Sequence, residues 1–391
     1  MKTKILLIQP CYVNFGGYYR SFSIAKSLSN KGYSVDLLIS SKENSLNITK
    51  IKVKNNFNIY ELPRINFHHF INGKIIRGLI GCFFIIFKKY DFIHLFSSVH
   101  PEIWFPLSIC KMFRKKYILD WDDYWQDSPM YHSSTKITKK YIEFSENYFV
   151  KKSSHVTVTS DFLYEKAKQL GVKDALKIIN GVDFDSFHPI SQKESRKYLK
   201  LDENEKIILS FGNTYGDKRA YLLLKTFQYI YELDNSVKLY LNLDPRNFLS
   251  NAKIKQEIDK RIFDNIVVTG YIDKNMMPYY TGACDIILFL TGNTNGEKAC
   301  FPIRIGSYLN AEKVIATNVT DTEMYNTLAR FNCILIGKNP QDLAKNIIGF
   351  FNNKQMKKDL EKNTVKAKNE LDWDNLSLNL IKLYKSVNKE L

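Results

Sequence analysis

The chain has 391 residues, of which 45% are apolar and 25% charged, enough for two or three domains with full cores. Its 24 Tyr and 26 Phe exclude a disordered chain. The formal net charge is +17, and residues 1–119 hold 18 Lys and Arg against 5 Asp and Glu, so an anionic partner is expected: nucleic acid, a membrane surface or a phosphorylated substrate. Cys11, Cys82, Cys110, Cys284, Cys300 and Cys333 form no C-x-x-C pair and lack zinc-ligand spacing to a His, so they read as free thiols in a reducing compartment. Lys2 and Lys4 precede only the short run Ile5–Ile8, closed by Pro10, too little for a secretory leader. The stretch Ile75–Phe87, interrupted by Arg77, is too short to span a bilayer. The expectation is a cytoplasmic protein, soluble or peripheral on the inner face of the cytoplasmic membrane.

Strands and helices alternate along the chain. Residues 4–9 read as a buried strand, Asn14-Phe15-Gly16-Gly17 as a glycine loop, 19–30 as a helix and 34–39 as the next strand. Apolar runs recur at 92–96, 117–119, 155–159 and 176–179, with amphipathic helices between them. The pattern pauses at Gly181–Pro189. It restarts with strands near 206–211, 237–241, 266–269, 286–289, 313–317 and 333–336, and the tail from about Pro340 is helical. This predicts an α/β protein of two Rossmann-like, doubly wound domains, 1–190 and 191–372, followed by a final helical segment 373–391. Two such sheets are expected to face a cleft, with ligands at the strands' carboxyl ends.

Four loops carry chemistry. Gly16-Gly17 lets backbone approach a ligand at a helix start, with Arg20 just inside. Gly212 occupies the same place in the second half, followed by Lys218 and Arg219, suited to a phosphate. Asp120-Trp121-Asp122-Asp123-Tyr124-Trp125 offers carboxylates for sugar hydroxyls and aromatic faces for sugar rings; Asp-x-Asp is also a pattern for Mg²⁺ or Mn²⁺. In Gly296–Leu309, Pro302 suits a first helical turn whose N–H groups would hold a diphosphate, with Phe301 before it, Arg304 beside it and Glu297 on the preceding loop. His100, between a strand and Pro101, is a further candidate.

With these residues in place, nearly the whole chain resembles a GT-B glycosyltransferase, and more narrowly the retaining group 1 or GT4 family. The specific parts are the linker Ile179-Asn180-Gly181-Val182-Asp183 with Phe187-His188-Pro189, and the stretch Glu297–Thr317. Gly16-Gly17 and Phe211-Gly212 with Lys218-Arg219 add to it, and the final helix, 373–391, resembles the one that crosses back to pack on the N-terminal domain in such proteins. The resemblance implies a nucleotide-diphosphate sugar donor on the C-terminal domain. Lys218 and Arg219 would meet the diphosphate, Glu297 the donor sugar, and Gly16-Gly17 would close over the phosphate. Asp122-Asp123 would line the acceptor side. It implies transfer to a hydroxyl of a glycan or lipid-linked acceptor in surface polysaccharide or glycoconjugate biosynthesis, with no cofactor and no metal. Asp122, Asp123, His100 and Glu297 are the catalytic candidates. Gly16, Gly17, Gly212, Lys218, Arg219, Glu297, Phe301, Pro302, Arg304 and Ser307 are the donor-binding ones.

One departure stands out. The family's second glutamate falls at Ile305 by one count and Ser307 by another. That loss keeps a non-catalytic GT-B scaffold as an alternative, and a sugar-nucleotide 2-epimerase is another. A metal-dependent GT-A enzyme using Asp120 and Asp122 would instead show one mixed-sheet domain. No nucleic-acid recognition motif is present. The basic excess lies beside the apolar helix expected over 74–89, which points to an anionic membrane and a lipid-phosphate-linked glycan as acceptor.

Overall fold

A computed structural model describes residues 2–65, 73–184, 188–212, 216–318 and 321–389; Phe187 of the linker motif lies outside them. The chain divides into two compact units. The first is Met1–Gly181 with Thr294–Ile303 and Trp373–Leu391; the second is Val182–Asn293 with Arg304–Asp372.

In chain order the first unit has β1 (Lys4–Tyr12), α1 (Tyr18–Asn30), β2 (Ser34–Ser40), β3 (Thr49–Lys54), β4 (Phe57–Leu62), α2 (Lys74–Phe87), β5 (Phe92–Phe96), α3 (Pro101–Met112), β6 (Tyr117–Trp121), α4 (Pro129–Ser133), α5 (Lys136–Lys151), β7 (His155–Val158), α6 (Asp161–Gln169) and β8 (Asp174–Lys177). The strands form one sheet in the order β3-β4-β2-β1-β5-β6-β7-β8. Central strands such as Phe92–Phe96 are buried along their whole length, which is why they read as runs that are apolar but for a single residue, here His94. The expected parallel sheet needs one correction: β3 pairs antiparallel with β4. Its sequence Thr-Lys-Ile-Lys-Val-Lys is exposed at every position, so it carries no burial signal, and its lysines discourage pairing at that edge.

The second unit continues with α7 (Gln192–Leu199), β9 (Lys206–Ser210), α8 (Asp217–Leu233), β10 (Val237–Leu241), α9 (Ala252–Glu257), β11 (Ile266–Val268), α10 (Met277–Ala283) and β12 (Ile286–Leu288). The short α11 (Asn295–Ala299) belongs to the first unit. There follow α12 (Ile303–Asn310), β13 (Val314–Thr317), α13 (Glu323–Ala329), β14 (Ile334–Ile336), α14 (Pro340–Asn352), α15 (Lys354–Glu370) and α16 (Trp373–Lys389). The second sheet runs β11-β10-β9-β12-β13-β14, all parallel. Leu223, Phe227, Ile286, Ile347 and Phe350 lie in its main core.

In the first unit, α2, α3, α5 and α6 cover one sheet face through Phe84, Ile103, Leu107, Phe149 and Leu163. On the other face α1 and α16 pack together through Ile24, Leu28, Leu380 and Tyr384. Ser27 bonds Ser377 at 2.7 Å, tying these two helices at their contact.

Candidate functional site

At the carboxyl end of β1 the chain turns through Asn14–Gly17 into α1. Gly16 has φ +52°, and a Cβ on Gly17 would come within 2.7 Å of the Gln9 side chain and 3.4 Å of Asp122 Oδ2. A side chain at Gly16 would be strained by that φ, and one at Gly17 would have to push the Gln9 amide aside. The same contacts place Gly17 beside Asp122, although 105 residues separate them. Phe15 on this loop stacks on Tyr12 at 4.7 Å and is 54% exposed, with Arg64 over the Tyr12 ring at 5.1 Å.

The three aspartates at the carboxyl end of β6 divide. Asp120 is fully buried, and both its oxygens accept from Arg20 Nε at 3.1 Å. Arg20 also donates to Asn180 Oδ1 at 3.1 Å, and Asn180 Nδ2 donates to the Phe301 carbonyl at 2.7 Å. His94 lies 3.6 Å from Asp120 and 2.9 Å from the Tyr384 hydroxyl. Burial pushes the Asp120 carboxyl upward, but the Arg20 charge and His94 hold it below the usual range. Burial lowers His94, keeping its imidazole neutral. Arg20 and Asp120 therefore form a buried ion pair, which leaves Asp120 unavailable to the alternative Asp-x-Asp metal pattern.

Asp122 differs. Burial, then the neighbouring Asp123 and Asp120 carboxylates, push it well above the carboxylate range. Asp123 is raised to about 6, by burial first, against a pull from Cys300 and Arg20. Its side chain nevertheless reaches solvent, which screens that effect; Asp122, tucked against Gly17, is the carboxyl whose proton its surroundings control.

The segment 294–303 lies in the same unit. Asp127 accepts from the Gly296 N–H at 3.0 Å, and Thr159 Oγ1 donates to the carbonyls of Asp122 at 2.7 Å and Ala299 at 3.1 Å. The segment is thus pinned to the loop that carries Asp122. Glu297 occupies the third position of α11. Its carboxylate accepts from Thr294 N and Oγ1, while Thr294 Oγ1 accepts from Glu297 N: a capping box. Phe301 is buried and contributes its carbonyl to Asn180. Pro302 immediately precedes α12. His100 stands just before Pro101 and meets Trp125 edge-on at 5.5 Å; burial lowers its pKa to about 4, so it is neutral at pH 7.

In the second unit Gly212 follows β9, and Asn242 at the end of β10 holds it from both sides: Gly212 N–H to Asn242 Oδ1 at 3.0 Å, and Asn242 Nδ2 to Gly212 O at 2.9 Å. Asn318 holds Thr291 in the same reciprocal way beyond β12 and β13. Lys218 and Arg219 sit in the first turn of α8, Lys218 exposed. Arg304, on α12, donates from Nη1 to the Phe211 carbonyl at 2.7 Å, with its guanidinium 5.9 Å from the Phe289 ring centroid. Ile305 is fully buried and Ser307 half-buried. Residues 213–215 of the glycine loop lie outside the described residues. Among the described residues, no cluster of three or more His, Cys, Asp or Glu has metal-binding geometry.

Reasoning from sequence missed the Arg20–Asp120–His94–Asn180 network and Glu146. Glu146 accepts from Trp121 Nε1, Trp125 N and Gln126 N at 2.7–3.0 Å. Burial outweighs these bonds and pushes it up to about 7.

No family model matches the chain. Over 225 residues it is 24% identical to a Bacillus subtilis (strain 168) protein provisionally named as the teichuronic acid biosynthesis glycosyltransferase TuaH, covering 56% of this chain and 54% of that one. The match thus spans about half of that relative. Solved structures are alike over the full length. Sucrose-phosphate synthase from Thermosynechococcus elongatus is 14% identical with TM-score 0.70, each chain covered completely. Anabaena HepE, solved with UDP and glucose, is 13% identical with TM-score 0.68, covering 98% of this chain and 100% of that one. WaaG, a glycosyltransferase involved in lipopolysaccharide biosynthesis, is 12% identical with TM-score 0.67, covering 97% and 99%. The chain has the GT-B fold.

Proposed function

We propose that this protein is a glycosyltransferase of the retaining group 1 or GT4 kind. It moves a sugar from a nucleotide-diphosphate sugar to a hydroxyl of a glycan or lipid-linked acceptor, in surface polysaccharide or glycoconjugate biosynthesis. The observation that carries the reading is the cationic end of β9. Arg304 is anchored on the Phe211 carbonyl, just beyond β9, and Lys218 and Arg219 lie in the first turn of α8, the next helix in the chain. Three basic side chains and a helix N-terminus at one strand end suit a diphosphate. The likeness to HepE, solved with UDP, and to a relative named for teichuronic acid biosynthesis supports the same donor and product class.

In this reaction the bond from the anomeric carbon to the diphosphate oxygen breaks and a bond to the acceptor oxygen forms. The leaving phosphate takes the acceptor's proton. Lys218, Arg219 and Arg304 stabilise the charge growing on the diphosphate, and loss of one such contact costs on the order of 10²-fold in rate. Asp122 and Asp123 hydrogen-bond hydroxyls of the acceptor. Neither metal nor cofactor takes part. The test is incubation with a panel of labelled nucleotide sugars and lipid-phosphate-linked glycans, followed by anomeric analysis of the product. Label in the glycan with retained configuration supports the proposal. Conversion of the donor without acceptor would assign an epimerase instead.

Three residues favour a second reading, a non-catalytic scaffold. Ile305 is core, Ser307 carries no carboxylate, and the Glu297 carboxylate is bound in its own helix cap. Calorimetry that finds no binding of any nucleotide sugar would select it.

A further inference from the structure

We propose that the outer faces of α2, α3 and α5 form one surface that docks on an anionic lipid bilayer. These helices lie side by side on one face of the first sheet. Gly78 and Gly81 let α2 approach α3 closely: a Cβ on either would come within 3.0 Å of Phe105 or Pro106. Trp104 of α3 stacks on Phe149 of α5 at 5.5 Å, and Lys111 donates to the Lys152 carbonyl at 3.1 Å.

The inward residues of α2 meet the core, and the outward ones stay in solvent. Leu79 is 54% exposed, Phe83 55% and Phe87 69%, and the Phe83 and Phe87 rings lie 4.7 Å apart. Ile75, Ile76 and Ile86 add to the same helix's exposed apolar surface. Phe105 and Met112 of α3, with Phe113 just past its end, continue it, and so do Ile137, Phe144 and Tyr148 of α5. Single exposed apolar side chains are ordinary, but so many on adjacent helices mark an interaction surface.

Charge selects the occupant. Lys89, Lys111, Arg114, Lys136, Lys140 and Lys152 are exposed around this surface. From Leu62 to Tyr90 the chain holds no Asp or Glu. Glu102 of α3 is buried against Arg77, at 2.6 Å. A second protein of ordinary surface would have to match so many cations with placed carboxylates, whereas an anionic bilayer supplies mobile phosphates over an apolar layer. Helix α2 has 14 residues, about 21 Å at 1.5 Å per residue, so it lies along the interface; no described helix is long and apolar enough to cross.

Co-sedimentation with phosphatidylglycerol vesicles and with phosphatidylcholine vesicles tests this on the full chain. The protein is expected to pellet with the anionic vesicles and stay in the supernatant with the neutral ones. Phe83→Asp with Phe87→Asp should lower the bound fraction about tenfold or more, and each of Lys89→Gln and Lys111→Gln roughly fivefold. An unchanged thermal midpoint checks that these exposed substitutions leave the fold intact. Recovery of the native chain in the supernatant with anionic vesicles at low salt would overturn the proposal. So would equal pelleting of the double Phe variant, or a concentration-dependent dimer which that variant dissociates, since the face would then be an interface between copies. Donor binding is read separately: the Phe variant should keep any nucleotide-sugar thermal shift, and Lys218→Ala should keep vesicle binding.

Discussion

The ends of the two sheets use their charged groups in opposite ways. In the first unit Arg20, 1% exposed, and Asp120, 0% exposed, are consumed by each other, by Asn180 and by His94. In the second, Lys218 is exposed at a helix start and Arg304 rests on the Phe211 backbone carbonyl beside the Phe289 ring. The difference separates two jobs that look alike in a sequence. A cation just inside a glycine turn can be a strut or a ligand-binding group, and the decisive fact is whether the fold also supplies a buried anion. Arg20 has one; for Lys218 no ion pair is found among the described residues.

Breaking the strut should have the largest effect. Asp120→Ala leaves the Arg20 charge buried without its partner and is expected to destabilise the protein by about 3–5 kcal/mol, measured by urea unfolding. A loss below about 1 kcal/mol would mean that water reaches Arg20.

Next is Glu146, a second sealed charge of the first unit. Its proton is held more tightly in the folded chain, with a pKa of about 7 against a usual 4.5. Its protonated form therefore favours folding. That contribution is complete below about pH 4.5 and is lost as the pH rises through 7, on the order of 3 kcal/mol in all. Glu146→Gln should flatten the stability–pH curve across this window. An unchanged slope would show that the carboxylate's three hydrogen bonds outweigh its burial.

Effects in the second unit should appear in ligand binding and leave stability unaltered. Ser307→Glu restores a carboxylate to the half-buried position on α12 and should tighten nucleotide-sugar binding roughly tenfold through a charged hydrogen bond to a hydroxyl. Calorimetry reads it, and weaker binding would show that Ser307 faces no ribose.

The alternating architecture was legible in the sequence because central parallel strands bury both faces and read as plain apolar runs, as in Ile5–Ile8 and Ile286–Leu288. The β3–β4 pair was not legible because β3 buries nothing. Of the candidate site, the glycine turns and Asp122-Asp123 were visible as motifs, but their meeting was not: Gly17 and Asp122 come together through the order of strands in the sheet. Arg20 with Asp120 and Asn180 is hidden for the same reason, with partners 100 and 160 residues away. Glu297 is a different case. Thr294-Asn295-Gly296-Glu297 is a plain capping-box pattern, so the local role that the structure gives its carboxylate was available from the sequence alone.

The central claim is that Lys218 and Arg219 hold the diphosphate of a sugar donor. It is tested most directly by a thermal-shift panel of nucleotide-diphosphate sugars on the native chain and on Lys218→Ala. At 100 times its Kd a true donor stabilises the native protein by about 2.7 kcal/mol. A clear shift is expected for at least one donor in the native chain and none in Lys218→Ala, with equal midpoints without ligand. An undiminished shift in the variant would contradict it.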